Sequence, residues 1–274
     1  MTYVSGFVAA VPQSNRDAFI AHAKAGWPWF QKRGALRMVE CLGTDVKHGK
    51  QTDFYRATQA KDDEVPLFSW VEWPDKETCD AAWASMEGGD DLPEMPEMPF
   101  DGARMFWGGF APIVQVGESR PGSYVQGFVL AAPEGRKQAY IDMANSATGM
   151  FRRFGATYQV ECWGEDVPHG TLTDFHRAVD AQDDETVTFG WITWPDRASA
   201  DAAIGRTRRS ACRYVSTATT KHVRSVVAKT TMPRGTSTSN VRTVTIAMPN
   251  PHTATTMIVC NTGKRITKCR TMFG

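Results

Sequence analysis

The chain has 274 residues, enough for about two domains of ordinary size, and its 31 Lys and Arg almost balance its 30 Asp and Glu. The balance is uneven along the chain: residues 1–201 carry 18 Lys and Arg against all 30 acids, a net charge of −12, and residues 202–274 carry 13 basic residues and no acid. No apolar run approaches the roughly 18–20 residues of a membrane-spanning helix, and no secretory signal pattern opens the sequence, so we expect a cytoplasmic protein.

A long internal repeat organises the sequence. Residues 3–82 recur without a gap 121 positions later, beginning with Tyr-Val-Ser-Gly-Phe-Val at 3–8 and Tyr-Val-Gln-Gly-Phe-Val at 124–129, and the recurrence ends near Ala203. A repeat of this length indicates a duplicated domain rather than a short solenoid unit. The predicted organisation is a first domain at 1–116, a linker at 117–123, a second, truncated domain at 124–203 and a basic Thr/Ser-rich tail at 204–274.

Strand and helix patterns alternate along the first copy. Alternating or β-branched apolar runs predict strands at 3–11, 35–43, 68–73 and 105–114, and helical spacing predicts helices between Ser14 and Gly34 and between Asp75 and Met86. The order β-α-β-β-α-β is that of the ferredoxin-like arrangement, an α+β fold with helices on one face of an antiparallel sheet. We expect the two tandem copies to close sheet against sheet as an internal pseudo-dimer, with the last strand missing from the second copy.

Five segments of the first copy carry a family resemblance. Besides residues 3–8, they read Gly-Ala-Leu-Arg-Met-Val-Glu-Cys at 34–41, Thr-Asp-Phe at 52–54, Arg-Ala at 56–57 and Met-Pro-Phe-Asp-Gly-Ala-Arg-Met at 98–105. In these segments the chain resembles the YbaA-like family of uncharacterised bacterial proteins, a domain of unknown function. The resemblance covers residues 1–115 and part of 122–203. It implies the dimeric α/β-barrel superfamily, which includes cofactor-free monooxygenases, haem-handling enzymes and small stress proteins.

Many of the polar residues between the predicted second and third strands are the same in both copies, which on a long surface loop favours function over packing. Glu40 lies in an apolar strand, where burial would raise its pKa and suit it to act as a general base, whereas pairing with Arg56 or Arg104 would make it structural. The loop residues have a structural alternative too, in which turns and a salt bridge hold the loop's shape. The candidate catalytic residues are Glu40, His48, Asp53 and Arg56, with their equivalents Glu161, His169, Asp174 and Arg177.

Three tryptophans, Trp70, Trp107 and Trp191, are candidates for lining an apolar ligand pocket inside the barrel, with ordinary core packing as the alternative. The acidic and histidine candidates lack any recognised metal-ligand spacing. The familiar motifs for phosphate, dinucleotide and zinc-protease sites are absent from the sequence. The sequence therefore predicts neither a metal nor a cofactor.

The repeat and the acidic residues stop at about the same point, near Ala203. This coincidence suggests the hypothesis that the sequence beyond it is translated in a shifted frame. The alternative is a genuine basic tail that binds nucleic acid. In either case we expect little packed structure beyond about residue 205, and an incomplete second sheet whose exposed edge favours self-association.

The leading functional hypothesis is a small-molecule-binding α/β barrel, acting as a cofactor-independent oxygenase or an isomerase. The alternatives are a non-enzymatic interaction or stress-related protein, and an RNA-binding protein that acts through the basic tail. A cavity shared by Glu40 and Trp70 would favour the enzyme, whereas a filled barrel interior would favour the interaction protein.

Overall fold

The computed structural model describes residues 2–87, 96–120 and 122–203, together with the backbone of residues 244–247 and 256–259. The first repeat contains β1 (Tyr3–Pro12), α1 (Arg16–Lys32), β2 (Arg37–Leu42), α2 (Phe54–Ala57), β3 (Glu64–Trp73), α3 (Lys76–Glu87) and β4 (Phe106–Gly117). The second contains β5 (Tyr124–Pro133), α4 (Lys137–Arg153), β6 (Tyr158–Asp166), α5 (Phe175–Ala178) and β7 (Glu185–Trp194), after which residues 197–203 are helical. As far as residue 203, the elements of the second repeat correspond to those of the first.

Seven strands form one antiparallel sheet in the order β2-β3-β1-β4-β6-β7-β5. β4 pairs with β1 of its own repeat on one side and with β6 of the second repeat on the other, so it is the strand that joins the two halves. The predicted α+β class, with an antiparallel sheet and helices, is confirmed. Pairing with β4 also explains why β6 has nine residues and the equivalent β2 only six, since the extra residues of β6 pair with Gly109 and Phe110.

One face of the sheet is filled by aromatic side chains from both repeats. Trp70 stacks on Trp191 with ring centroids 4.2 Å apart, and Phe68 stacks on Phe189 at 4.4 Å. All four side chains are buried. Because successive residues of a strand point to opposite faces, these alternate aromatic positions form a continuous apolar layer. The two repeats therefore share this core.

The helices pack on the other face of the sheet. In the first repeat, α1 and α3 cover two clusters that include Phe19 with Ala9 and Leu67, and Trp73 with Cys79. In the second repeat, α4 buries the stripe Tyr140, Ala144, Thr148 and Phe151, whose spacing matches one side of a helix. This second face is where the two repeats differ most in their side chains.

Two features differ from the predicted pattern of elements. β3 begins at Glu64 rather than at residue 68, because its first residues pair with the end of β1, where Pro12 lies opposite Glu64. The short helices α2 and α5 were not predicted. They begin directly after Asp53 and Asp174, whose carboxylates accept hydrogen bonds from the backbone N–H groups of the first turn.

Beyond residue 203 the structure describes two strands, β8 (Val244–Ala247) and β9 (Thr256–Val259), which pair antiparallel. The predictions about the tail at 204–274, including the frame shift and the missing last strand, otherwise lie outside the described residues. Within the ranges that the structure describes, no helix is both long enough and apolar enough to cross a membrane.

Candidate functional site

The loop before α2 is organised around the carboxylate of Asp53, whose side chain is fully buried. Its two oxygens accept hydrogen bonds from the backbone N–H of Gly49 at 2.9 Å and of Arg56 at 2.8 Å. The guanidinium of Arg56 donates to the same carboxylate at 2.7 Å and to the Gly49 carbonyl at 2.7 Å. A Cβ at Gly49 would lie 2.1 Å from the Thr52 carbonyl oxygen, so this tight turn requires glycine.

The second repeat builds the same loop around Asp174. Its carboxylate accepts from the N–H groups of Gly170 at 3.1 Å and Arg177 at 2.7 Å. Burial alone would raise the pKa of Asp174, but these hydrogen bonds and the nearby charge of Arg177 outweigh it and lower that pKa. Such a carboxylate stays ionised and tied to its donors. The geometry of both loops supports the structural alternative for Asp53, Arg56, Asp174 and Arg177, and their catalytic role stays a prediction.

The two candidate histidines lie at the protein surface. The His48 and His169 side chains are 73% and 76% exposed, and each Nδ1 lies 3.7 Å from a carboxylate oxygen of Asp53 or Asp174. Their rings pack on neighbours of the same loop, His48 on Tyr55 and His169 on His176. This placement matches a solvated loop histidine.

The two matching loops also contact each other across the repeat boundary. The Thr173 hydroxyl donates to the Ala57 carbonyl, and the side-chain amide of Gln59 donates to the Leu172 carbonyl at 3.0 Å. Thr173 is buried in this contact. The loops therefore also take part in the packing between the two repeats.

Glu40 and Glu161 occupy equivalent positions on β2 and β6, but their surroundings differ. Glu161 is 5% exposed and accepts hydrogen bonds from the Tyr140 hydroxyl at 2.8 Å and the Gln159 amide at 2.9 Å. Glu40 is exposed beside α1 and lies opposite Ser69 on β3. Desolvation by the side chains packed around each glutamate raises its pKa to about 7, although the Glu40 residue keeps solvent access. Hydrogen bonds offset part of the rise, from Ser69 at Glu40 and from Tyr140 and Gln159 at Glu161. Glu40 thus combines solvent access with surroundings that disfavour its charged form.

Three substitutions between the repeats account for the difference. Phe19 stands where the second repeat has Tyr140, Met38 where it has Gln159, and Leu67 where it has Thr188. In the second repeat the Thr188 hydroxyl donates to Tyr140 at 3.2 Å, and Tyr140 in turn donates to Glu161. Phe19, Met38 and Leu67 cannot donate a hydrogen bond from their side chains. Glu40 therefore has the Ser69 hydroxyl as its hydrogen-bond partner, where Glu161 has Tyr140 and Gln159.

A cleft of about 480 Å³ opens between α1 and β2, and Glu40 lines it. The volume lies within the roughly 300–1,000 Å³ typical of small-molecule sites. The other lining residues are the apolar Phe19, Ile20, Ala23, Trp27, Met38 and Leu42 and the basic Arg16 and Lys24. A carboxyl on an apolar wall with two cations nearby is an arrangement that can bind a polar organic molecule and exchange a proton with it.

The two arginines considered as partners of Glu40 pair with other carboxylates. Arg56 pairs with Asp53, as described above. Arg104 makes a bidentate pair with the buried Glu64, with both N–O distances at 2.7 Å, and a third contact of 2.9 Å with Asp101. The alternative that Arg56 or Arg104 holds Glu40 in a structural ion pair therefore receives no support from these contacts.

The structure separates the three tryptophans assigned to a ligand pocket. Trp70 and Trp191 stack on one another in the shared core, so they fill that space together. Trp107 is 46% exposed and stacks on Trp83 of α3, on the helix-covered face. Glu40 also lies on the helix-covered face, away from Trp70. Glu40 and Trp70 therefore do not share the cavity that would favour the enzyme, and core packing accounts for Trp70 and Trp191.

Sequence reasoning missed the residues of α1 that line the cleft, among them Arg16, Lys24 and Trp27. These three residues differ between the copies, whereas the residues assigned to a catalytic site are identical in both. The difference was itself the available signal. A glutamate present in both repeats, next to a helix whose sequence differs between them, indicates a site that can be open in one repeat and closed in the other.

Comparisons with known proteins identify relatives of both repeats. The family model described as "Protein of unknown function (DUF1428)" matches residues 2–102 and 123–211. The uncharacterized protein YbaA of Escherichia coli K12 is 48% identical over 115 residues, which are 42% of this chain and 98% of YbaA, and YbaA of Shigella flexneri matches equally.

Two solved structures are similar at low sequence identity. An anthrone oxidase-like protein is 11% identical with a TM-score of 0.45, covering 73% of this chain and 76% of that chain. A candidate monooxygenase from Lactobacillus acidophilus NCFM is 10% identical with a TM-score of 0.40, covering 74% of this chain and 81% of that chain. Because the family model matches two separate segments that together exceed half of the chain, the protein belongs to the DUF1428 family, and its resemblance to YbaA-like proteins is confirmed.

Proposed function

We propose that the protein binds a small molecule in the cleft between α1 and β2 and that Glu40 exchanges a proton with it. The observation that carries this proposal is a carboxyl, with its pKa raised to about 7, that opens on a largely apolar cleft. Near neutral pH both forms of such a group are present in comparable amounts. It can therefore take a proton in one step and return it in the next.

Proton transfer at carbon is the reaction class that this arrangement favours. A base that removes a proton beside a carbonyl group, and then returns it at another position, catalyses an isomerisation. The same first step, formation of a carbanion, begins a cofactor-independent oxygenation. Arg16 and Lys24 in the cleft wall carry positive charges that would stabilise negative charge developing on a carbonyl or phenolic oxygen. We therefore infer a substrate with an apolar body and one such oxygen.

We also infer that the two repeats form a pseudo-dimer of the dimeric α/β-barrel type with an incomplete second copy. The pairing of β4 with β6 and the stacking of Trp70 on Trp191 support this inference, since both cross from one repeat to the other. In such a pseudo-dimer the two helix-covered faces are independent, so a cleft can be open in one repeat and closed in the other. The cytoplasmic location stays a prediction.

A ligand screen read by thermal shift tests the proposed site. The full chain, Glu40→Gln and Glu161→Gln would be screened against small carbonyl and phenolic compounds at pH values around 7. We expect a compound that raises the Tm of the unmodified chain and of Glu161→Gln but has a much smaller effect on Glu40→Gln. Glu161→Gln is the matched control, because Glu161 is the equivalent residue enclosed by Tyr140 and Gln159.

A second variant tests the location independently of the carboxyl. Ala23→Trp places a large side chain in the cleft wall and should abolish the shift while Glu40 remains in place. A ligand that stabilises the Glu40→Gln and Ala23→Trp variants as strongly as the unmodified chain would place the binding site elsewhere.

A non-enzymatic interaction protein is the second candidate. The filled inner face supports it, because Trp70 and Trp191 occupy the space where a planar ligand would bind in a barrel. The RNA-binding alternative depends on the basic tail, which lies outside the described residues except for β8 and β9. An interaction protein would bind a macromolecule at its surface with no change caused by Glu40→Gln, and a pull-down with both glutamate variants distinguishes the two candidates.

A further inference from the structure

The two strands at the ends of the seven-stranded sheet are the repeat equivalents of the two strands on either side of β4. In the order of the described strands, β2 and β5 are the ends, and β4 lies between β1 and β6. The 121-residue offset makes β5 the equivalent of β1, and β6 the equivalent of β2. The edge formed by β5 and β2 is thus the counterpart of the β1–β6 pair without a strand between them. We call this position the β2–β5 slot.

Two equivalent hydrogen bonds show how wide the slot is. The Tyr3 hydroxyl, on β1, donates to Asp166 of β6 at 2.6 Å, and this contact passes over β4 at Gly109, where an added Cβ would lie 2.4 Å from the Tyr3 hydroxyl oxygen. The Tyr124 hydroxyl, on β5, donates to Asp45, just beyond β2, at 2.7 Å. The same side chains therefore bridge both pairs of strands. The β2–β5 slot is held open by the width of one strand, since neighbouring strands lie about 4.7–4.9 Å apart.

The side chains beside the β2–β5 slot are less buried than their equivalents beside β4, as expected if no strand lies in the slot. Val4, Val160 and Cys162, which flank β4 on the inner face, are 1%, 1% and 0% exposed. Their equivalents at the slot, Val125, Val39 and Cys41, are only half-buried, although they belong to the same apolar cluster. The slot thus leaves apolar side chains partly uncovered beside two strand edges that pair with no other strand among the described residues. These are the features that strand addition uses for affinity and specificity.

β4 itself shows which strand fits. Phe106 and Phe110 point from it into the shared core, where their rings lie 4.8 and 5.1 Å from Phe175. At the slot, Phe54 is the equivalent of Phe175, and its aromatic neighbour is Phe68, with ring centroids 5.9 Å apart. Gly109 lies under the Tyr3 side chain, where no side chain fits. A strand for the slot therefore needs two aromatic residues four positions apart and a glycine immediately before the second one.

We propose that the β2–β5 slot binds an extended peptide segment of a partner protein with this aromatic-x-x-Gly-aromatic pattern. The segment adds as an eighth strand, antiparallel to both β5 and β2, as β4 is to β1 and β6. Its backbone pairs with the two free edges, its aromatic side chains cover Val39, Cys41 and Val125, and its glycine passes under Tyr124. This site is on the sheet edge and is separate from the Glu40 cleft.

A synthetic peptide with the sequence of residues 105–117 is the probe, labelled for fluorescence anisotropy and titrated with the full chain. We expect saturable binding. A peptide carrying Gly109→Leu should bind at least ~10-fold more weakly, because leucine would collide with the Tyr124 ring. A peptide carrying Trp107→Ser should bind as well as the first, because Trp107 of β4 points away from the core. Hydrogen exchange should slow at backbone amides of β2 and β5 when the peptide is bound.

Three results would overturn the proposal. They are the absence of saturable binding, equal affinity for the Gly109→Leu peptide, and protection outside β2 and β5. Sedimentation provides a further check. If the chain is a dimer that the peptide dissociates, a second copy covers the slot in the free protein and the proposed partner is wrong. If the chain is a monomer, or a dimer that remains a dimer, and binds the peptide, the proposal is supported.

Discussion

Tyr3 of the first repeat donates a hydrogen bond to Asp166 of the second, and the equivalent Tyr124 of the second repeat donates one to Asp45 of the first. Each carboxylate also pairs with a cation at equivalent positions, Asp166 with Lys76 and Asp45 with Arg197. This reciprocity, in which each copy supplies the tyrosine to one contact and the aspartate to the other, is the property of an isologous dimer interface. Here a single chain contains it.

Removing either tyrosine hydroxyl should weaken the contact between the repeats. We expect Tyr3→Phe and Tyr124→Phe each to lower the free energy of unfolding by about 1–2 kcal/mol, because each removes one charge-assisted hydrogen bond to an aspartate. Urea unfolding of the two variants measures this. Ser14→Ala, at an exposed position, is the control and should change stability by less than about 0.5 kcal/mol. Tyrosine variants that behave like this control would show that the hydrogen bonds add no stability.

The matching loops should prove structural. Asp53→Ala and Asp174→Ala each remove a buried helix cap and its pairing with an arginine, so we expect each to lower the free energy of unfolding by about 1–3 kcal/mol. Ligand binding at the Glu40 cleft should persist in both variants below their Tm. His48→Ala provides the comparison. The His48 ring is exposed, so its removal should lower the free energy of unfolding by less than about 0.5 kcal/mol. Loss of binding without loss of stability would instead favour the catalytic interpretation of Asp53.

Stability should fall as pH rises from about 5 to about 7. Burial raises the pKa of Glu40 and Glu161 from about 4.5 to about 7 in the folded chain, so within this window the folded state binds more protons than the unfolded state. Their contribution is complete below about pH 4.5 and is lost as pH passes through 7. Urea unfolding at several pH values measures the slope. Glu161→Gln should make the slope shallower, and an unchanged slope in that variant would assign the dependence to other groups.

Replacing only one member of the buried Arg104–Glu64 ion pair should strongly lower the free energy of unfolding. Arg104→Met leaves the Glu64 carboxylate buried without its bidentate partner, so we expect a loss of about 3–5 kcal/mol. Hydrogen bonding to Arg104 lowers the pKa of Glu64, and the variant should therefore recover stability in acid. The double variant Arg104→Met, Glu64→Gln should be more stable than Arg104→Met alone. Arg56→Met, at a half-exposed arginine, is the milder control.

Much of the fold could be predicted from the sequence because its signals are local or repeated. The apolar runs of β1 and β3, the helix after residue 14 and the correspondence of the repeats needed no knowledge of distant contacts. Predicting which face of the sheet Glu40 lies on would have required knowledge of those distant contacts. β2 is apolar on both faces, since Met38 and Leu42 alternate with Val39 and Cys41, so its pattern does not show which face meets the helices. The cleft likewise depends on α1 and β2, whose contact is set by packing rather than by sequence spacing.

The reciprocal tyrosine–aspartate interface has an evolutionary consequence. In an assembly of two identical chains every substitution appears twice, so opening a cleft in one subunit opens it in the other and doubles any loss of stability. Joining the copies in one chain ends that constraint. Tyr140 can keep Glu161 enclosed while Phe19 leaves Glu40 accessible. One half is then free to serve as the scaffold, and the other can acquire chemistry that an identical pair would have to perform twice.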